Sequence, residues 1–249
     1  MKALAAAALV ALAAATPAGA ERLTIAVSMP QVQITSNFTG APIAVFGVIE
    51  EDAGAIAAGD YRVAVVVLGP TETIVERRKD RFAGVWANRG AQTIAGAPSF
   101  YALNATEELN ALADPPVLKR LEIGFANLDL GQNAADPETA EFRDAYIRLK
   151  QKAGLYGERA DIKFIGPLIF RTNTFLPANV PVGQYTVLAY LFSGGNLIAH
   201  AEDAFVISKS GAEGSIADFA RGQSLAYGIL CAGLALFVGW AGGVIFRRD

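Results

Sequence analysis

Residues 225–246, LAYGILCAGLALFVGWAGGVIF, hold no charge and no proline and are followed at once by Arg247-Arg248-Asp249. As a helix, these twenty-two residues rise about 33 Å, enough to cross a hydrocarbon layer of about 30 Å with slight tilt. A helix in a soluble core can also be apolar all round, but seldom for this length without a polar position. The stretch reads as a membrane span, so everything upstream must fold as a domain leashed to a bilayer.

The chain is 53% hydrophobic, but the apolarity is concentrated at its two ends. Residues 1–20 read as a secretory signal: Lys2 is the positive start, residues 3–15 the apolar run, and Ala18-Gly19-Ala20 a small-x-small site for cleavage before Glu21. Removing them leaves 229 residues and takes Lys2 away, shifting the net charge from −3 to −4. That mild acidity gives no reason to expect nucleic acid. The only cysteine, Cys231, lies inside the predicted span, so an exported domain has neither a disulfide nor a thiol for chemistry. A cleaved leader and Arg247-Arg248 after the span agree on one orientation. The N-terminal domain is expected across the membrane, and a three-residue tail in the cytoplasm.

From Glu21 onward the pattern is strand-like. Leu23, Ile25 and Val27 alternate with Thr24, Ala26 and Ser28; Pro30 interrupts, and Val32 and Ile34 resume. Further strands are expected over 43–49, 61–68, 73–79 and 83–87, with Asn88-Arg89-Gly90 as a turn. The period then changes. Thr106 can cap a short helix through Leu109 and Leu112, and Asp114-Pro115 starts another running to Gly124. Asp136-Pro137-Glu138 is a stronger start, and Phe142, Tyr146, Leu149, Ala153 and Tyr156 follow on one face. Strands return over 162–175, with a corner, a strand, a Gly194-Gly195 hairpin and a last strand after them. Gly183-x-Tyr185-x-Val187 resembles the tyrosine corner of immunoglobulin-like sandwiches, and Gly59-x-Tyr61-x-Val63 repeats the signature 124 residues earlier. Two sandwiches are conceivable. The intervening helices leave too few strands for each, so the expected fold is mainly β: one immunoglobulin-like sandwich over 21–208 with a helical insertion at about 100–158. A juxtamembrane linker at 209–224 and the span complete it.

Several segments carry a more specific resemblance: MPQVQITSNFTG, VVVLGP, RRKDRFAGVWANR, FRDAYIRLKQKAGLY, LPANVPVGQYTVLAYLF and the ending GWAGGVIFRRD. Together they are similar to an alphaproteobacterial family of transmembrane proteins, over nearly the whole mature chain. The resemblance implies an inner-membrane protein facing the periplasm. It brings no activity and no catalytic residues.

Chemistry is poorly supplied. His200 is the sole histidine, and alternation places it on the polar side of its strand. Metal binding by cysteine and histidine is therefore not expected, and no cofactor is implied. Glu50-Glu51-Asp52 lacks the glycine pattern of a calcium loop. Asn37-Phe38-Thr39 and Asn104-Ala105-Thr106 match the glycosylation sequon by chance.

The best soluble candidate is Glu76-Arg77-Arg78-Lys79-Asp80-Arg81. In a strand, Arg77, Lys79 and Arg81 line one face about 6.7 Å apart, where they repel one another and favour an anionic group opposite. The same pattern also suits a charged edge strand that resists sheet-to-sheet association. Trp86, Asn88 and Arg89 extend the patch only if the two strands form a hairpin. In the span, Ala235, Gly239 and Gly243 form a stripe of small residues along which another helix can approach.

The expectation is a non-enzymatic interaction module, accessory to an inner-membrane or transport complex. Its partner, an inner-membrane protein or a second copy, would be held through the membrane helix. The alternative is a domain binding a small anion or polysaccharide on the basic strand.

Overall fold

The computed structural model describes residues 21–50, 61–82, 85–130, 137–210, 216 and 219–245; for 76–82, 85–92, 137–138 and 245 only the backbone is described. The leader at 1–20, Glu51-Asp52 and the tail at 247–249 lie outside the described residues.

The strands are β1 (Arg22–Val27), β2 (Gln31–Ile34), β3 (Gly40–Glu50), β4 (Arg62–Leu68), β5 (Thr71–Phe82), β6 (Val85–Pro98) and β7 (Tyr101–Ala105). Then come α1 (Leu109–Leu112), α2 (Pro115–Arg120), a 3-10 turn (Phe125–Asn127) and α3 (Pro137–Lys152). β8 (Tyr156–Arg159), β9 (Lys163–Phe164), β10 (Ile169–Pro177), β11 (Gly183–Ser193), β12 (Asn196–Lys209) and α4 (Ser224–Ile245) follow.

These strands make a four-stranded sheet, β1-β3-β10-β9, a six-stranded sheet, β2-β12-β11-β4-β7-β8, and a separate ribbon, β5-β6. The first two face each other across one core. Inward positions alternate as the period of two requires: Leu23, Ile43, Val45, Ile49, Phe170 and Leu176 from one sheet, and Val63, Val65, Val67, Tyr185, Val187 and Phe205 from the other. Pro30 does more than break a strand. It marks where the chain leaves β1 in one sheet and enters β2 in the other, beside β12.

The two tyrosine signatures open neighbouring strands from opposite ends. Tyr61 precedes β4 and Tyr185 lies at the start of β11, and these strands pair antiparallel in one sheet, so the repeat does not mark two sandwiches. The Tyr185 hydroxyl donates to the Pro181 carbonyl at 2.7 Å, the bond back to the preceding loop that a tyrosine corner makes. Gly194 and Gly195 both have positive φ (56° and 82°), which closes the β11–β12 hairpin in two residues.

Several expectations are corrected. The helical stretch is narrower than 100–158, because Tyr101–Ala105 and Tyr156–Arg159 are strands pairing in parallel. Thr106 does not cap a helix; its hydroxyl accepts from the Val63 N–H at 3.1 Å. α2 ends at Arg120 rather than Gly124, and the run expected over 162–175 is divided into β9 and β10. On α3, Phe142 and Tyr146 are buried but Leu149 is 60% exposed, and Ile147 is buried instead. The buried face is rotated because Lys150, one turn beyond Tyr146, is drawn inward by Glu72. Tyr156 is buried, but from β8 and not from the helix.

Candidate functional site

Arg77, Lys79 and Arg81 all lie in β5. β5 and β6 do form a hairpin, which sets Lys79 opposite Asn88 and Arg81 opposite Trp86 in Cα register. The connection is not at Asn88-Arg89-Gly90. The register closes at Phe82 opposite Val85, and Arg89-Gly90 sit inside β6 where β6 carries one residue more than β5 between Arg77 and Lys79. That is a bulge, which increases the local twist of the ribbon. A second bulge lies between Ile94 and Ala97, with Gly96 at φ 75°.

The ribbon is an extension of the core sheet. Gly69 N–H donates to the Phe100 carbonyl (2.8 Å) and Ser99 N–H to the Pro70 carbonyl (2.9 Å), joining the β4–β7 ladder to Thr71–Pro98 of the arm. Its base is anchored by buried Ile94 and Ala97 and by a polar cluster that sequence reasoning did not find. Glu72 of the arm accepts from Lys150 Nζ and from the Tyr146 hydroxyl (3.3 Å) of α3. Lys150 also donates to the Ser99 carbonyl (3.2 Å), and the Tyr156 hydroxyl to the Pro98 carbonyl (2.6 Å). The one available signal was a lysine on the flank of the apolar face of α3, which periodicity assigns to solvent.

Electrostatics in this cluster keeps the phenols neutral. Burial pushes Tyr156 up to about 12, with the Tyr146 hydrogen bond opposing and Glu72 adding to the rise. Burial raises Tyr146 as well, reinforced by Tyr156 and Glu72, and it raises Tyr101, whose hydroxyl accepts from the Gly124 N–H at 2.8 Å. Burial also raises Glu158, partly offset by the N–H of Phe125. The Tyr146 and Tyr156 hydroxyls act as fixed dipoles that hold the arm to α3 and β8, while Tyr101 and Glu158 hold the Gly124–Phe125 turn. His200 is exposed on β12, opposite Tyr190, away from them.

Two other surfaces can hold something. A cleft of about 350 Å³ opens between β7–β8 and β10, lined in part by Asn104, Gln151, Tyr156, Arg159, Asn173 and Phe175. Asn104 itself is buried and donates to Thr174 Oγ1 at 2.9 Å, so its sequon is closed to a glycan in the folded chain. The outer face of the four-stranded sheet exposes Phe46 (39%), Val48 (42%), Ile169 (42%) and Phe175 (53%). Val48 and Ile169 are register partners, and Arg171 is opposite Phe46. Single exposed apolar residues are ordinary, but a row across two paired strands is a patch.

α4 is the one helix among the described residues long and apolar enough to cross a membrane, and none of it is buried. Ala235, Gly239 and Gly243 recur along it every fourth residue, and a Cβ built on Gly239 or Gly243 would meet nothing within 4 Å. Among the described residues, nothing packs against this smooth face at Gly239 or Gly243.

Among curated proteins no sequence matches. Among solved structures there is similarity to Spo0M, a sporulation control protein from Bacillus subtilis, at 8% identity and a TM-score of 0.29. It covers 80% of this chain and 53% of that one, so this chain spans about half that protein's length. The family described as "Putative transmembrane protein (Alph_Pro_TM)" matches residues 22–248, from the first strand of the sandwich to beyond the apolar helix, and the chain belongs to that family.

Proposed function

We propose that the protein is a non-enzymatic interaction module: an immunoglobulin-like domain exported to the periplasm, tethered in the inner membrane by α4, and accessory to an envelope or transport complex. The observation that carries this reading is the apolar patch Phe46, Val48 and Ile169 on the outer face of a tethered sheet, with exposed Phe175 further along β10. A contiguous exposed apolar patch, with Val48 and Ile169 paired and Phe46 beside them, is the kind of surface that a partner covers. The Tyr185–Pro181 bond supports the immunoglobulin-like assignment. Arg247-Arg248 beyond the span support a cytoplasmic C-terminus.

Co-purification from mild detergent tests the reading. Replacing Phe46 and Ile169 by Asp removes apolar contact at half-exposed strand positions, so the fold is expected to lose about 1 kcal/mol per site while captured partners are lost. Recovery of the same partners by the variant would remove the sheet face from consideration. Gly239→Leu with Gly243→Leu, in the same assay, is expected to insert normally but lose a helix partner, whether an inner-membrane protein or a second copy. Unchanged capture would leave α4 as a tether alone.

A second reading, a site for a small anion or polysaccharide on Arg77, Lys79 and Arg81, draws support from their common strand. Charge reversal at the three positions is expected to abolish such binding, as is added salt.

A further inference from the structure

The arm and the membrane tether leave the sandwich at the same end. β4 runs toward Leu68, whose register partners are Thr186 in β11 and Tyr101 in β7. Continuing in that direction, Gly183 is opposite Ile207 of β12, and β12 ends two residues later at Lys209, opposite Ile34. The ladder joining β4–β7 to β5–β6 is unbroken, so the arm prolongs β4 and β7 beyond the sheet's edge on the side where the chain departs for α4. The twelve residues of β5 span roughly 40 Å. The chain from Lys209 to Ser224 reaches at most roughly 50 Å when extended. The two lengths are comparable, so the linker permits a bilayer holding α4 to come within the arm's reach.

The sequence of the distal arm suits such a surface. Residues 76–92, ERRKDRFAGVWANRGAQ, place five cations against two carboxylates in a chain whose net charge is −3. Phe82 and Val85 are opposite each other at the end of the ladder, with Trp86 opposite Arg81 one step back. Cations bordering an anionic headgroup layer are attracted to it, and tryptophan concentrates at that layer because it is amphipathic. A two-stranded ribbon is marginal in water by itself, so a surface against its distal half would add to the hold that its base has on the sheet. We propose that the distal half of the arm docks on the anionic phospholipid surface of the membrane that holds α4. Arg77, Lys79 and Arg81 would lie against the lipid phosphates, with Phe82 and Trp86 in the headgroup layer. The inference rests on tethering by α4 and is independent of the partner face on the outer sheet.

The chain has two tryptophans, Trp86 and Trp240, so Trp240→Phe leaves the arm as the sole reporter. The full-length variant is reconstituted into nanodiscs of phosphatidylglycerol with phosphatidylcholine, or of phosphatidylcholine alone. In the anionic discs, Trp86 emission is expected to shift to shorter wavelength, to lose acrylamide quenching and to be quenched by brominated lipid. High salt, neutral discs, or Arg77→Glu with Lys79→Glu and Arg81→Glu should return all three to their values in water. Circular dichroism checks that the triple variant is folded, and the salt titration of the unreversed arm tests the same point without it. Water-like Trp86 in both kinds of disc overturns the proposal. So does shielding that is equal in both and indifferent to salt, because protein then covers the arm. If inorganic phosphate restores the shielding in neutral discs, the site takes a free oxyanion and the lipid proposal also falls. None of these outcomes touches the co-purification test of the outer sheet.

Discussion

Phe170→Ala is expected to destabilise the domain by about 3–5 kcal/mol, measured by thermal or urea unfolding of the full chain in detergent. Phe170 is fully buried on β10 and is the register partner of Gly47 on β3. Its ring occupies the place where a side chain would start: a Cβ on Gly47 would sit 2.0 Å from Phe170 Cζ. Gly47→Ala alone should therefore cost at least about 1–3 kcal/mol by overpacking. Together the two substitutions should cost less than their sum, because removing the ring opens the space that the methyl requires. Contacting residues commonly couple by about 0.5–3 kcal/mol, so the deviation is measurable. Strict additivity would show that the ring does not lie over Gly47, and the packing between β3 and β10 would have to be redrawn.

Alkaline unfolding should be the second large effect. Tyr101, Tyr146, Tyr156 and Tyr185 are each held above the ordinary phenol range by burial. A phenol whose folded value is raised binds its proton more tightly in the folded state. That stability is fully present below the unfolded value near 10 and is lost as pH rises toward the folded value. Each such tyrosine costs about 1.4 kcal/mol per pH unit in that window, so the four together remove roughly 5 kcal/mol by about pH 11. Urea midpoints should stay level from neutral pH to about 9 and then fall steeply. Tyr156→Phe should weaken the neutral-pH fold by about 1 kcal/mol, since Pro98 loses its 2.6 Å donor, while making the alkaline fall shallower. A level midpoint through pH 11 would mean that the phenols are solvated.

Local pattern was sufficient for what depends on neighbours in the chain. Twenty-two uncharged residues with no proline are long and apolar enough to cross a membrane as a helix, because length and apolarity are properties of the segment itself. Alternation is likewise enough for β1, a run of branched residues for β4, and Pro137-Glu138 for the start of α3, since these patterns are local. The tyrosine corner was legible because Tyr185 bonds only four residues back. Tertiary structure decided the rest. Nothing local says that the strands opened by the two copies of one signature pair in a single sheet, because strand pairing joins residues more than a hundred positions apart. Nor could periodicity turn α3 so that Leu149 faces water and Lys150 faces Glu72, since that depends on an acid 78 residues away. The basic strand was read correctly as a strand, but its placement on an arm prolonging β4 and β7 was not visible. Two bulges shift the register of β6 against β5, and hydrogen bonds through Gly69, Pro70, Ser99 and Phe100 join the arm to the sheet. Those bonds are long-range, and they set the arm at the end of the sandwich from which the chain leaves for the membrane.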